Sequence, residues 1–382
     1  MQTWWRSVDQ LDEDQQKIMD LSADGSFAVT GPPGSGKTNL LLMRGAYLSG
    51  MSRNIAILVM NGTLAKFIQS GASGYGVAPD LVMTSRQFIY GLARESGITL
   101  TKGLNWKDSK EECFAALKKI SADKNRAIYD AILIDEAQDH NEEELSIIRS
   151  LTHDLYLTAD ARQLIYSGGS RDDRFSSLVD DTKVLRFHHR CALDICDLAD
   201  EIGDRFSGNY TRIAPTSRYP ADGPKADIKI VTATIEQQGE KIADRLERQL
   251  RAYRGELIGI FAPNRREAEI VAAIIKKRGY GDLMTMQVGQ EGYMDMHADR
   301  PICVSTLHGA KGLEYRAVHF VAAETVRSHG DCQKRLAFTG VTRAKTALTI
   351  YHDRPLPGFF DAAVARWRDP APAKSWRNIL AQ

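Results

Sequence analysis

Residues 31–38 constrain the fold of this chain more than any other segment. They read Gly-Pro-Pro-Gly-Ser-Gly-Lys-Thr, which satisfies the pattern G-x-x-x-x-G-K-[ST] at every required position. The short apolar run at residues 26–30 predicts a strand before the loop, and residues 39–44 favour a helix after it. A chance glycine-rich turn is the alternative, and it does not explain these flanks. A strand, a glycine-rich loop and a helix in this order predict an α/β fold with a phosphate-binding loop.

The loop residues divide between backbone and side-chain roles. The glycines let backbone amides converge on a phosphate group, and the positive end of the following helix dipole adds to the attraction. The ammonium group of Lys37 is expected to reach the β- and γ-phosphates of a nucleotide, and the hydroxyl group of Thr38 to ligate Mg²⁺. The predicted phosphate-binding residues are Gly31, Gly34, Ser35, Gly36, Lys37 and Thr38.

Two adjacent carboxylates indicate the reaction that the bound phosphate undergoes. Residues 129–137 read Tyr-Asp-Ala-Ile-Leu-Ile-Asp-Glu-Ala, an apolar strand that ends in Asp135 and Glu136. There, Asp135 can hold Mg²⁺ through its water shell while Glu136 orients or deprotonates the attacking water. A charge pair at the start of the acidic helix that follows is the alternative role. Together with the phosphate-binding loop, the pair predicts hydrolysis of a nucleoside triphosphate.

Strands and helices alternate through most of the chain, which predicts parallel sheets with right-handed crossovers. Apolar strands of a first set lie near residues 26–30, 55–60, 81–84, 132–134 and 155–158. Those of a second set lie near residues 183–185, 228–231, 257–261, 302–305, 317–321 and 348–351. We therefore expect one α/β domain over residues 1–182, a second over 183–354, and a helical tail over 355–382 that packs on the second domain.

Composition is that of a soluble enzyme. The 382 residues are 43% hydrophobic and 26% charged, which is enough for two domains with cores. No apolar run approaches the ~20 residues that a membrane span needs, and the N-terminal residues lack a signal-peptide pattern. The five cysteines form no C-x-x-C pair, so we expect reduced thiols and no zinc site. A net charge of +1 restricts any nucleic-acid site to a local patch. We expect a cytoplasmic monomer without a membrane partner.

Five motifs follow one another along the chain. They read Leu-Asp-Glu-Asp-Gln at 11–15, Asp-Glu-Ala-Gln-Asp at 135–139, Ala-Asp-Ala-Arg-Gln-Leu-Ile-Tyr at 159–166, Ser-Thr-Leu-His-Gly-Ala-Lys-Gly-Leu-Glu-Tyr at 305–315 and Arg-Leu-Ala-Phe-Thr-Gly-Val-Thr-Arg-Ala at 335–344. In this order they resemble the UvrD/Rep-like branch of superfamily 1 helicases, from residue 11 to about residue 350. The resemblance implies two RecA-like motor domains with the ATP site at their interface, and 3′→5′ movement along single-stranded DNA. The chain would be a minimal form of that family, because only residues 95–125 and 281–300 are available for the family's large accessory insertions.

The resemblance also implies roles around the nucleotide. Gln15 would read the edge of adenine, and His189 would stack on that base in the place of the family's tyrosine. Glu314 would bind the ribose, with Gly312 allowing close approach of the backbone. Gln163 would sense the γ-phosphate and link it to the strand-binding face. From the residues alone, Gln15 could equally be a solvated helix residue. The alternative for Gln163 is a loop residue without a role at the nucleotide.

Two arginines in the second half of the chain complete this site. Arg190 and Arg343 can meet the γ-phosphate only if the two domains close across it, and the alternative for either is a surface ion pair. The predicted catalytic residues are Lys37, Asp135, Glu136, Gln163, Arg190 and Arg343.

The strand-binding side departs from the family pattern. Met60 and Gly168 stand where the family has a phenylalanine and a tryptophan that stack on bases, so strand separation is less expected than ATP hydrolysis. His308 is expected to contact the strand or the γ-phosphate loop rather than a metal ion, because no second ligand stands at helical spacing. The predicted nucleic-acid-binding residues are Met60, Asn61, Thr84, Tyr166, Asn264, Thr306 and His308.

Three functions remain open at this point. The first is an ATP-dependent translocase on single-stranded DNA, with RNA as the other candidate strand and Mg²⁺ as the cofactor. The second is an ATP-gated nucleic-acid-binding switch that signals to a protein partner without unwinding duplex. The third is an ATPase or kinase acting on a small molecule, which leaves the second motor-like half without a purpose.

Overall fold

The computed structural model describes residues 7–101, 103, 106–124, 126–166, 172–288 and 299–368, which form two parallel sheets of six strands each. The strands of the first sheet are β1 (Phe27–Thr30), β2 (Ile55–Val59), β3 (Val82–Thr84), β4 (Tyr129–Ile134), β5 (Thr152–Ala159) and β6 (Asp181–Val184). Those of the second are β7 (Asp227–Thr232), β8 (Ile258–Ala262), β9 (Met284–Gln287), β10 (Ile302–Thr306), β11 (Tyr315–Phe320) and β12 (Ala344–His352). The helices are α1 (Glu13–Met19), α2 (Lys37–Gly50), α3 (Gly62–Gly71), α4 (Ser85–Glu95), α5 (Trp106–Lys124), α6 (Glu142–Ser150), α7 (Leu193–Gly203), α8 (Ile235–Ala252), α9 (Arg265–Ile275), α10 (Asp331–Val341) and α11 (Gly358–Val364). The predicted α/β class is confirmed.

The first sheet has the strand order β3-β2-β4-β5-β1-β6. All five residues of the inner strand β2 are apolar and buried, as expected for a strand covered by helices on both faces. Because β4, β5 and β1 are neighbours, the segments that follow them meet at one edge of the sheet. That edge carries the loop at 31–38, Asp135 and Asp160, so strand order alone brings the two main motifs together.

The second sheet has the order β7-β12-β11-β8-β10-β9, again with parallel pairs. Its edge strand β9 was not predicted, because it lies in the segment that the sequence assigned to a reduced insertion. Met284 and Gln287 at the ends of β9 are nevertheless buried, and the strand pairs with β10 in register. The segment thus completes the sheet before continuing into residues outside the described part.

One predicted strand belongs to the other sheet. The sequence assigned residues 183–185 to the beginning of the second domain, but β6 pairs in parallel with β1 from Phe27↔Asp181 to Thr30↔Val184. The prediction for this strand was therefore wrong. A strand of four residues with three exposed positions carries little sign of which sheet it joins, whereas its pairing with β1 is a long-range contact. The predicted domain limits fall close to this strand and remain predictions.

The two halves are packed against each other beside the loop that precedes β11. Gly312 has φ +90°, and a Cβ atom there would lie 2.5 Å from a methyl carbon of Leu64 on α3. The Asn61 side-chain amide donates to the backbone carbonyl of Lys311 at 2.9 Å. One buried apolar cluster includes residues from both halves, among them Leu64 and Leu313. A glycine is required at this contact, both for its backbone conformation and for the close approach.

The beginning of the tail packs on the second half, as predicted. Phe360 on α11 is fully buried, and its ring centroid lies 5.7 Å from that of Phe320 on β11. Arg366 beyond the helix pairs with Asp197 of α7 at 2.9 Å. Residues 369–382 of the predicted helical tail lie outside the described residues. Within the described part of the chain, no helix has both the length and the apolar character that crossing a membrane requires.

Candidate functional site

A cleft of about 570 Å³ lies where the loop at 31–38 faces the second half. Both halves line this cleft, which makes it the natural place for a ligand in an α/β fold. Its lining residues are Gln10, Gln15, Gly34, Ser35, Gly36, Lys37, Thr38, Asn39, Glu136, Gln163, His189, Arg190, Tyr219, Pro220, Gly223, Pro224, Glu256, Gly312, Glu314, Arg316, Arg343 and Lys345.

The loop has the backbone geometry of a phosphate cradle. Gly34 and Gly36 have φ values of +69° and +86°, and a Cβ atom at Gly36 would lie 2.6 Å from the Gln15 amide nitrogen. The Lys37 ammonium group donates to the carbonyls of Gly31 and Pro32 at 2.9 Å each, so it closes the loop on itself. The buried Ser35 hydroxyl has no hydrogen-bond partner among the described residues. An unsatisfied buried donor at this position fits a phosphate oxygen as its partner.

Hard oxygen ligands for Mg²⁺ meet beside the loop. The Thr38 hydroxyl donates to Asp135 at 2.8 Å, and the Thr158 hydroxyl donates to the other carboxylate oxygen at 2.5 Å. Burial, together with the neighbouring Glu136, raises the pKa of Asp135 to about 6. A hydroxyl and a carboxylate held in contact are the ligand types that Mg²⁺ takes from proteins. These residues therefore fit the metal that the sequence implies.

Glu136 is held in a strained backbone conformation. Its φ of +56° lies in the left-handed region, which is unfavourable for a residue with a side chain. Burial would raise the pKa of its carboxyl group, but Lys311, Lys37 and Arg343 outweigh that effect and the pKa is lowered. The group is consequently ionised at neutral pH, as a residue that orients or deprotonates water must be.

Lys311 ties the second half to this carboxylate. Its buried ammonium group lies 3.3 Å from Glu136, 2.5 Å from Asp139 and 2.8 Å from the backbone carbonyl of Gln163. Lys311 was not among the residues predicted from sequence, although it lies within the motif at 305–315. A single lysine in a segment without arginine was the available signal.

Gln163 and Arg343 meet across the two halves. The Arg343 guanidinium group donates to the Gln163 side-chain carbonyl at 2.6 Å and to the backbone carbonyls of Leu313 and Thr339 at 3.0 and 3.1 Å. The Gln163 amide nitrogen in turn donates to Asp160 at 2.8 Å. Burial lowers the pKa of Arg343 to about 10, so the group remains charged at neutral pH. The surface ion pair considered from sequence is excluded, because only 1% of Arg343 is exposed.

Arg190 and Glu314 face each other rather than open space. The Arg190 Nε atom donates to one carboxylate oxygen of Glu314 at 2.8 Å, and Lys345 lies 2.7 Å from the other. Burial raises the pKa of Glu314, but Lys345 and Arg190 lower it further, to about 2. Both carboxylate oxygens of Glu314, which was predicted to bind the ribose, are thus engaged in ion pairs in this structure. Lys345 directly follows the motif at 335–344, but it was not among the residues predicted from sequence.

The ion pairs of Glu314 predict a stability that depends on pH. Its pKa in the folded state lies below the ordinary value of 4.5, so the stabilisation is complete above that pH and is lost as the pH falls towards 2. At pH 7, Glu314→Gln should lower the free energy of unfolding by roughly 2 kcal/mol, because the partly buried cations Arg190 and Lys345 lose this carboxylate. In denaturant titrations, this difference from wild type should narrow between pH 4.5 and 3. Glu247→Gln, at an exposed pair with Arg251, is the control and should change little. A difference that stays constant with pH would contradict the ion-pair account.

Gln15 and His189 lie together at another part of the cleft. The Gln15 side chain accepts from the Asp12 backbone amide at 2.9 Å and donates to the Ser35 carbonyl at 2.9 Å. One amide hydrogen and one lone pair of this side chain remain for a base. The His189 ring nitrogen Nε2 lies 2.7 Å from Asp12, and the His189 backbone amide donates to the Gly34 carbonyl at 3.1 Å. The structure therefore brings both predicted adenine contacts to the phosphate loop.

Two family models match the chain, one on each side of the cleft. Residues 15–169 match the AAA domain, and residues 301–351 match the UvrD-like helicase C-terminal domain. These two matches support a resemblance of the chain to UvrD-like superfamily 1 helicases. The two matches include the phosphate loop and both carboxylates on one side and Lys311, Glu314 and Arg343 on the other.

Solved helicase structures resemble the chain distantly. "The structure of PRRSV helicase" is 16% identical, with a TM-score of 0.39 over 86% of this chain and 52% of that chain. The C-terminal domain of a possible DNA helicase from Lactobacillus plantarum WCFS1 is 18% identical, with a TM-score of 0.35 over 47% of this chain and 96% of that chain. The chain thus spans about half the length of the PRRSV helicase. No curated protein matched it in sequence.

The residues predicted to bind nucleic acid lie near the carboxyl ends of strands in both halves. Tyr166 and His308 are brought together across the halves, with ring centroids 5.5 Å apart. Burial, with Lys311 adding to it, lowers the pKa of His308, so this ring is neutral at pH 7. Asn61 and Thr84 accept from backbone amides at the starts of α3 and α4.

The remaining predicted strand contacts are more scattered. Met60 is half-buried after β2. Asn264 precedes α9, and Thr306 ends β10, where its hydroxyl accepts from the Gly309 amide at 3.2 Å. Gly168, which stands at the family's tryptophan position, lies outside the described residues.

Proposed function

We propose that this protein hydrolyses Mg-ATP between its two halves and couples the hydrolysis to movement along single-stranded DNA, in the 3′→5′ direction of the family it resembles. The observation that carries the proposal is the bond from Arg343 of the second half to Gln163 of the first, beside the phosphate loop. An ATPase that works within one domain has no need of a buried arginine delivered from the other. We further propose that the protein acts as a monomer in the cytoplasm.

The first half would bind the triphosphate and activate water. Backbone amides of the loop and Lys37 would hold the β- and γ-phosphates, and Thr38 and Asp135 would hold Mg²⁺. Mg²⁺ held by these two residues would supply positive charge that offsets the negative charge of the phosphates. Glu136 would orient the attacking water and take its proton, which its lowered pKa and its position next to Asp135 support.

The second half would stabilise charge in the transition state. Arg343 would donate to γ-phosphate oxygens, and Gln163, which already bonds to it, would report the state of that phosphate to the segment that ends in Tyr166. Arg190 would release Glu314 and bind the γ-phosphate instead. An arginine placed in this way contributes ~10³–10⁵ in kcat in related enzymes. Lys311 would keep Glu136 ionised and would hold the second half in contact with the first.

One pair of assays tests the proposal. The steady-state ATPase rate is measured without nucleic acid, with single-stranded DNA and with single-stranded RNA, next to a strand-displacement assay on a tailed duplex. We expect stimulation by single-stranded DNA. Hydrolysis that is indifferent to either nucleic acid would contradict a translocase.

The ATP-gated switch is the second candidate. It is favoured by the loss of a stacking aromatic at Met60, since base stacking contributes ~1–3 kcal/mol per base. In this case, a strand would stimulate hydrolysis while duplex stayed intact and no displaced strand accumulated. The partner would then be a protein that binds only the closed, ATP-loaded form. The same pair of assays separates the two candidates.

Strand binding should depend steeply on salt. With few stacking residues, phosphate contacts supply most of the affinity, so the affinity for a labelled oligothymidylate should fall steeply between ~50 and 200 mM salt. Gly168→Trp should tighten binding by on the order of 1 kcal/mol by restoring a stacking ring. Gly50→Trp, at an open position at the end of α2, is the control and should not change it. An affinity independent of salt would mean that the protein does not contact the phosphates of the strand.

A further inference from the structure

We infer that Tyr219 forms the nucleobase wall of the cleft by stacking on the base of the bound nucleotide. Tyr219 belongs to the connection between α7 and β7, residues 204–226, which lies outside every motif identified from sequence. The inference rests on the proposed ATP site and assigns the base-contacting surface within it.

Tyr219 supplies apolar ring surface where the cleft otherwise has little. Of the described residues that line the cleft, it is the one with a phenyl ring, and the prolines 220 and 224 lie beside it. Most other lining side chains are charged or carry amides or hydroxyls, and these suit phosphates and ribose rather than the face of a base. Gln15 and His189 line the same cleft, so the ring shares one space with the two predicted adenine contacts.

The ring is held in place before any ligand arrives. Its hydroxyl group donates to the Pro224 carbonyl at 3.0 Å, and its backbone amide donates to the Ser217 hydroxyl at 3.2 Å. A Cβ atom at Gly223 would lie 2.7 Å from the Tyr219 Cε1 atom, so the ring packs directly on that glycine. A ring with a fixed orientation loses little freedom on binding, which favours affinity.

The loop is also fixed to the elements that carry the other base contacts. The His188 backbone amide donates to the Thr216 carbonyl at 3.1 Å, and the Arg218 amide donates to the His188 carbonyl at 2.7 Å, which forms a short parallel bridge next to His189. The Arg218 guanidinium group donates to Glu13 on α1 at 3.1 Å, two residues from Gln15. A base in contact with Tyr219 would therefore touch a single connected unit made from both halves.

His189 alone is a weak replacement for the family's tyrosine. Its ring nitrogen is tied to Asp12, and an imidazole offers less stacking surface than a phenol ring. Tyr219 restores that surface from a different position in the chain. Because every base presents a flat π face, stacking on Tyr219 should strengthen binding of several nucleotides rather than select adenine.

Binding of two ligands separates base contacts from phosphate contacts. Dissociation constants are measured for ADP and for inorganic tripolyphosphate, both with Mg²⁺, by calorimetry on the whole chain. Tyr219→Ala should weaken ADP binding about tenfold or more and leave tripolyphosphate binding within about twofold. Tyr219→Phe keeps the ring and should stay within about threefold for ADP. Tyr47→Ala, at an exposed tyrosine on α2, is the control and should change neither constant.

A second variant keeps the inference testable if Tyr219→Ala proves unstable. Gly223→Ala places a methyl group against the ring and should weaken ADP binding selectively by displacing it. Equal ADP affinity in wild type, Tyr219→Ala and Gly223→Ala would overturn the inference while leaving the proposed ATP site intact. A wild-type protein that binds neither ADP nor tripolyphosphate would overturn the proposed function itself.

Discussion

Glu136→Gln should abolish ATP turnover while leaving the affinity for Mg-ATP nearly unchanged. The change removes the carboxylate that orients and deprotonates water, a contribution of ~10²–10⁴ in rate, and removes little of the phosphate cradle. Turnover and nucleotide affinity are measured on the same preparation. We expect at least a hundredfold loss in kcat.

The surroundings of Glu136 make this a clean substitution. Its cationic neighbour Lys311 keeps Asp139 at 2.5 Å, so this buried lysine retains a carboxylate partner. Glu142→Gln, at an exposed carboxylate at the start of α6, is the matched control and should retain wild-type turnover. Unchanged turnover in Glu136→Gln would remove this residue from the mechanism.

Much of the fold could be predicted because parallel strands are locally distinctive. Buried strands such as β2 and β8 read as short continuous apolar runs, and their positions agree with the prediction to within one residue or two. The errors concern edge strands. β6 is mostly exposed and β9 is short, so pairing rather than local sequence decides where each belongs.

The residues of the site likewise divide into those that could be predicted from sequence and those that could not. The phosphate loop and the two carboxylates could be predicted because each motif is contiguous and its chemistry follows from its spacing. The partners of Glu314 could not, since Arg190 and Lys345 come from distant segments and meet it only in the folded chain. Tyr219 lies in a loop rich in proline and glycine, where a lone aromatic residue gives no sign of the surface it faces.

Arg343→Ala should lower kcat by a few hundredfold or more, on the order of 3–5 kcal/mol of transition-state stabilisation. The affinity for ADP should barely change, because ADP lacks the phosphate that Arg343 is proposed to contact. Arg343→Lys should rescue poorly, since a point charge cannot reproduce a planar fork between two oxygens. The effect should shrink without nucleic acid, because the halves then close less often on the nucleotide.

Loss of stability must be separated from loss of chemistry. Arg343 is buried and donates to two backbone carbonyls besides Gln163, so the alanine variant will also melt at a lower temperature. Arg149→Ala is the matched control, because Arg149 likewise donates to two backbone carbonyls, of Leu178 and Thr152, on an element that does not line the cleft. It should lose stability and keep its turnover.

The most direct test of hydrolysis between the two halves is therefore turnover per folded molecule of Arg343→Ala, with melting temperature recorded on the same sample and single-stranded DNA present. We predict a loss of a few hundredfold in Arg343→Ala and wild-type turnover in Arg149→Ala. Wild-type kcat in folded Arg343→Ala would contradict an ATP site completed by the second half.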